Sequence, residues 1–199
     1  NTELTEHFTK KEYEKISVLT KELKKQYPED LFLWNLMGAV ANELNDMGEA
    51  KLSFEKATML APENTDVRMN MGQVFLKTRE FDKAIESFNV LLSINPNHVG
   101  AFNGLGLAHV SLKKFHEAIT NFKKALSIEK NNPQIWNNLG SCYLEVGEND
   151  AAIFAFQNTV KLKIDHVEAL FNLGTACKLV GRYEEASSCY KKVLSLGLQ

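Results

Sequence analysis

Apolar residues along the chain fall at spacings of three and four, interrupted by short polar stretches, and strand-like alternation is found nowhere. The pattern predicts helices only. It also repeats. Leu33-Trp34-Asn35-Leu36-Met37-Gly38 is followed, 34 residues on each time, by Val67-Arg68-Met69-Asn70-Met71-Gly72, Ala101-Phe102-Asn103-Gly104-Leu105-Gly106, Ile135-Trp136-Asn137-Asn138-Leu139-Gly140 and Ala169-Leu170-Phe171-Asn172-Leu173-Gly174. A period of this length marks a stacked array, in which each unit buries its apolar face against its neighbours. The glycines set the frame as one array with units 31–64, 65–98, 99–132, 133–166 and 167–199, and residues 1–30 form an earlier unit lacking its first positions.

Each unit reads as two helices. Twelve residues after the glycine stands an alanine (Ala50, Ala84, Ala118, Ala152, Ala186), and four beyond it an aromatic (Phe54, Phe88, Phe122, Phe156, Tyr190). A mid-helix glycine costs roughly 1 kcal/mol against alanine, so its recurrence needs a packing reason. The expected reason is close approach: glycine and alanine bring the two helix axes together and the aromatic fills the space beside them. Truncating that aromatic would cost roughly 3–5 kcal/mol if it is fully buried. Polar pairs precede each first helix, and Asn132 before Pro133 is the strongest start signal. Pro28, Pro62 and Pro96 close the second helices of the early units, whereas Lys130, Ile164 and Leu198 stand there later, with less marked stops. In the opening remnant, Tyr13, Ile16, Leu19 and Leu23 are expected to line one helix face, with Leu4 and Phe8 on the partner helix. The last helix carries Ala186, Tyr190, Val193, Leu194 and Leu198 with no polar capping helix after it, so this end is expected to pack on further chain, to pair with another copy, or to fray.

These residues resemble the tetratricopeptide repeat, a 34-residue helix–turn–helix with an aromatic or apolar residue ahead of Leu-Gly. Unit 133–166 fits best, with Trp136, Leu139, Gly140, Tyr143, Gly147, Ala152 and Phe156. The departures are local: Arg68 replaces an apolar residue, and Ala41, His109 and Cys177 stand where an aromatic is usual. The resemblance implies an all-α, right-handed superhelical solenoid of antiparallel helix pairs, whose first helices line a concave groove that binds a protein or an extended peptide.

Composition adds mainly exclusions. With 23 Lys and Arg against 25 Asp and Glu in 199 residues, the formal charge is -2, and no basic block tracks a phosphate backbone; nucleic acid is not an expected partner. No apolar run reaches the ~20 residues of a membrane span, and no secretory leader is visible, although the chain starts at Asn1 rather than methionine. Cys142, Cys177 and Cys189 lack disulfide-framework or metal-ligand spacing and read as reduced core residues, which favours a cytoplasmic location. Catalysis finds no set to carry it. His109 and His116 fall on either side of a turn, His98 and His166 lie in loops, and no phosphate loop, zinc motif or paired cysteine motif is present. Cys177 and Cys189 lie in one unit, on opposite helices, and are read as a packed reduced pair. The chain is read as a non-enzyme with no cofactor and no metal.

Function is sought instead on the first helices. The fifth and sixth positions of the units are Asn35-Leu36, Met69-Asn70, Asn103-Gly104, Asn137-Asn138 and Phe171-Asn172. Asparagine costs ~0.5–0.7 kcal/mol against alanine in a helix, so helix stability alone would not select the row. Its amide both donates and accepts, and so can pair with a peptide backbone whatever the side chains are. The resemblance sharpens this reading: in O-linked N-acetylglucosamine transferases an asparagine ladder inside the repeat superhelix holds the substrate backbone. Asn35, Asn70, Asn103, Asn137, Asn138 and Asn172 are therefore expected to bond a peptide backbone, with Met69 and Phe171 giving apolar contact. The alternative is a merely solvated polar face. A carboxylate clamp of the chaperone-binding kind is not expected, since no basic residue stands at the inward positions. Two rival functions stay open: the recruiting region of a larger glycosyl- or sulfotransferase, and a self-assembling adaptor that associates through its C-terminal repeat.

Overall fold

The structure is a computed structural model describing residues 2–197, and the chain divides into two compact units, Asn1–Pro96 and Asn97–Gln199. All secondary structure among the described residues is helical. The first unit holds α1 (Thr2–Thr9), α2 (Tyr13–Gln26), α3 (Leu31–Glu43), α4 (Met47–Leu60), α5 (Thr65–Lys77) and α6 (Phe81–Ile94). The second holds α7 (Val99–Ser111), α8 (Phe115–Ile128), α9 (Pro133–Glu145), α10 (Asn149–Leu162), α11 (Val167–Leu179) and α12 (Tyr183–Gly197). Leu198 lies outside the described residues.

Five helices start at the residues that open the sequence units, because each is preceded by a side-chain acceptor. Asp30 accepts from the Leu33 amide at 3.0 Å, Asn64 from Asp66 and Val67, and Asn132 from Ile135. His98 and His166 do the same through Nδ1, accepting from Ala101 at 3.1 Å and Ala169 at 3.2 Å. The two loop histidines are therefore helix caps. Stops are uniform too: α8 and α10 end at the same place in the frame as α4 and α6, without a proline.

Every hairpin turns through one left-handed residue: Lys11, Asn45, Arg79, Lys113, Gly147 and Gly181, at φ between 57° and 80°. The amide that follows it donates back to a first-helix carbonyl five residues earlier, as in Asp46 to Ala41, Lys114 to His109 and Arg182 to Cys177, each at 2.8 Å. This closes the helix end with the six-to-one bond of a Schellman turn. The three departures from an aromatic (Ala41, His109 and Cys177) thus all supply a backbone carbonyl that any side chain leaves intact.

The glycine has a more specific reason than the one expected. A Cβ on Gly38, Gly72, Gly106, Gly140 or Gly174 would meet the ring of Phe54, Phe88, Phe122, Phe156 or Tyr190 at 2.4–2.7 Å. The aromatic does not fill space beside the glycine contact; its ring occupies the space the missing methyl leaves. The four phenylalanines are at most 1% exposed. In the remnant unit, Leu4, Ile16 and Val40 form a small core with Phe8, Tyr13 and Leu23 packed on it. Leu19 is exposed, contrary to the sequence reading, and Thr20 takes the buried place, its hydroxyl satisfied by donating to the Ile16 carbonyl at 2.8 Å.

Candidate functional site

The asparagine row is placed unit by unit. In the first unit, the Asn70 side chain donates Nδ2–H to Asn35 Oδ1 at 3.1 Å, so α3 and α5 are joined through their amides. Both residues are half-buried, as is Met69. The bond uses one donor and one acceptor, and leaves the Asn35 amino group and the Asn70 carbonyl oxygen with further capacity. Farther along the same helices Lys77 donates to Asn42 Oδ1 at 2.8 Å.

In the second unit the row is less uniform. Asn138 accepts from Gln134 Nε2 at 3.3 Å, one turn earlier on α9, and lines a cavity of about 160 Å³ with Leu107, Val110, Ser141 and Glu145. Asn172 is half-buried on α11. Phe171 is 53% exposed and its ring lies 5.7 Å from that of Tyr190. Asn137 differs from the expectation: it is 1% exposed, and its Nδ2 donates to Glu168 at 3.1 Å, bracing α9 against α11. Its carbonyl oxygen and that of Asn103 are buried without a partner. Asn137 is thus a packing residue rather than a surface one. Gln134 and Glu168 lie outside the residues expected from the sequence. Each stands at the second position of its unit, one turn ahead of the row, and that spacing is the signal that could have found them.

The residue thought to disturb local packing resolves chemically. Trp34 Nε1 donates to the Pro28 carbonyl at 2.7 Å and Trp136 Nε1 to that of Lys130 at 2.8 Å; Arg68 Nε donates to Pro62 at 3.0 Å, across the same six residues. At this position arginine thus makes the same bond as the two tryptophans, although Phe102 and Leu170 fill it without an N–H.

The other titratable candidates are spread out. His109 lies in the last turn of α7 and His116 in α8. Desolvation lowers the His109 pKa, opposed by Glu117, and the Asn121 amide lies 3.4 Å from its ring nitrogen. Cys177 and Cys189 pack in one core from α11 and α12 as free thiols, and burial pushes both upward. Cys142 is pushed up to about 11, mainly by burial and further by Glu145. No described helix is long and apolar enough to cross a membrane.

Comparison with known proteins agrees with this architecture. Residues 2–132 match the model of the cytochrome c-type biogenesis protein H TPR domain, and residues 121–154 and 167–197 match tetratricopeptide-repeat models. The chain belongs to the tetratricopeptide-repeat family. No curated protein matches it. Among solved structures, a MamA protein is 23% identical with a TM-score of 0.76, over 83% of this chain and 91% of that one. MamA from Desulfovibrio magneticus RS-1 is 17% identical with a TM-score of 0.78, over 84% and 94%. YrrB, described as a TPR protein with an unusual peptide-binding site, is 19% identical with a TM-score of 0.72, over 89% and 91%. At these identities the likeness is one of fold: an all-α solenoid of antiparallel helix pairs.

Proposed function

We propose that this array is a protein-interaction scaffold whose first helices bind an extended peptide through side-chain amides. The observation that carries the reading is the Asn70–Asn35 bond. It orients two half-buried amides on adjacent helices and leaves a donor and an acceptor unused, which is what a peptide backbone requires. Asn138 supports the same role in the second unit, because it flanks a cavity with Leu107 and Val110 that could take one side chain of the bound segment. Asn172, Asn103, Met69 and Phe171 extend the contacts within their own units, while Asn137 acts from behind by fixing Glu168. YrrB, which shares the fold, is described as having an unusual peptide-binding site, and this supports the reading.

The test is affinity selection of a random-peptide library on the whole chain, followed by titration of the selected peptide into N70A and N138A. Loss of about tenfold or more in affinity for either variant, at unchanged stability, supports the reading. Wild-type affinity in both would sink it. Self-association through the last repeat is a second reading, favoured by exposed Leu179, Tyr183 and Leu194. Sedimentation velocity over a wide concentration range decides it, and a monomer at every concentration excludes it.

A further inference from the structure

A second cavity opens in the Asn97–Gln199 unit, where α8, α9 and α10 meet. It measures about 370 Å³, with Trp136, Tyr143 and Phe154 as its walls and Leu126 and Leu139 beneath them. On α9, Trp136, Leu139 and Tyr143 each stand two residues ahead of Asn138, Ser141 and Glu145, the residues lining the other cavity. Two residues amount to about 200° around a helix, so the two cavities lie on opposite faces of α9. This one is separate from the amide row.

Other repeats cover the matching aromatic ring from within. Lys24 Nζ sits 5.6 Å from the Trp34 ring and is held by Glu49 at 3.6 Å. Lys51 and Lys83 each sit 5.6 Å from Phe75, and Glu80 holds them at 2.9 and 2.6 Å. Lys124 sits 5.5 Å from Phe102. Carried forward in the repeat frame, those four lysine positions fall on Leu126, Ile119, Ala151 and Asn158 around Trp136 and Tyr143. None of them is cationic, and the Asn158 amide is spent on the Phe154 carbonyl. Among the described residues no cation lies over Trp136 or Tyr143. The cavity lies where those covering lysines are absent.

Its walls are already set. Trp136 is tied by its indole N–H to Lys130, and Phe154 meets it edge-on at 5.8 Å and 81° while remaining 60% exposed. Little ordering would accompany binding. A volume near the lower end of the roughly 300–1,000 Å³ found for ligand sites suits one or two bulky side chains. The rim is positive: Lys123 and Lys130 border the opening, both exposed and neither in an ion pair among the described residues. The adjacent Glu129 accepts from Asn132. Trp34 and Phe75 are covered by lysines held by the chain's own carboxylates, whereas Trp136 stands open between two lysines with no such partner among the described residues.

We infer that this notch is a docking site for a partner segment with a bulky apolar side chain flanked by carboxylates. The apolar group fills the space between Trp136 and Phe154, and the carboxylates meet Lys123 and Lys130. The test is fluorescence anisotropy with the labelled peptide acetyl-Glu-Asp-Phe-Leu-Asp-Glu-amide on the full chain. The same peptide with Ser-Ser in place of Phe-Leu, and one with lysines in place of the acids, serve as controls. Saturable binding of the first alone is expected, weakened about tenfold or more by F154S and by K123E/K130E. K21E/K25E, an equal charge change on exposed α2 lysines, should leave it intact. No saturable binding, or an equal loss in K21E/K25E, overturns the inference. So does a wild-type dimer that F154S dissolves, since the notch would then be covered by a second copy.

Discussion

Arg68 shows that the chemistry at a repeat position can persist when the residue type does not. Its Nε–H takes the place of a tryptophan indole N–H on the carbonyl six residues back. R68L removes the donor and should destabilise by about 1 kcal/mol in urea denaturation, whereas R68W should hold stability within a few tenths. The left-handed residues invite the converse experiment. Arg79 and Lys113 sit at φ 62° and 58° with side chains that disfavour that region, and glycine already fills the place in the last two hairpins. R79G and K113G should each stabilise by up to about 1 kcal/mol, the relief exceeding the entropy lost by glycine. Glu80 offers a pH test. Hydrogen bonds from Lys83, then Lys51, with help from Thr78, hold its carboxyl at about 2. A depressed carboxylate adds stability above its unfolded value that disappears as pH falls through the folded one. Loss is expected between about pH 4.5 and 2, and E80Q should flatten that part of the stability–pH curve.

At the scale of the helix pair, the fit of ring into glycine is the tightest constraint. A methyl on Gly106 would lie 2.4 Å from the Phe122 ring. G106A should destabilise by about 1–3 kcal/mol by thermal or chemical unfolding, and F122L should lose part of its own penalty in that background. The pairing of these positions could be read in the sequence because both recur at fixed spacing, but the glycine looked like a partner of the alanine. Sequence spacing does not say which of two neighbours fills a gap. Helix starts could be read for a plainer reason: asparagine, aspartate and proline act locally. The histidine caps were missed because imidazole is an uncommon acceptor there, and only the Nδ1 contacts reveal it. Asn137 could not be distinguished from Asn138 by pattern, since one residue of rotation around α9 separates a buried amide from a cavity wall.

For the molecule as a whole, the period made the fold and the asparagine row readable, while the notch beside Trp136 emerges where the period fails. The open notch is visible only once the lysines that cover Trp34, Phe75 and Phe102 are known, and those contacts join residues up to 24 apart. The same locality sets how the chain would respond to tension. Within each unit the helices pack chiefly on their nearest neighbours in sequence, so no distant clasp has to rupture before the rest gives way. Pulled from its ends in an optical trap, the protein should lengthen in a series of small, similar steps. Each released pair would add roughly 120 Å of contour, the reach of 34 extended residues. A single large rip would show cooperativity beyond neighbours. On this account the chain would extend under load and rewind pair by pair.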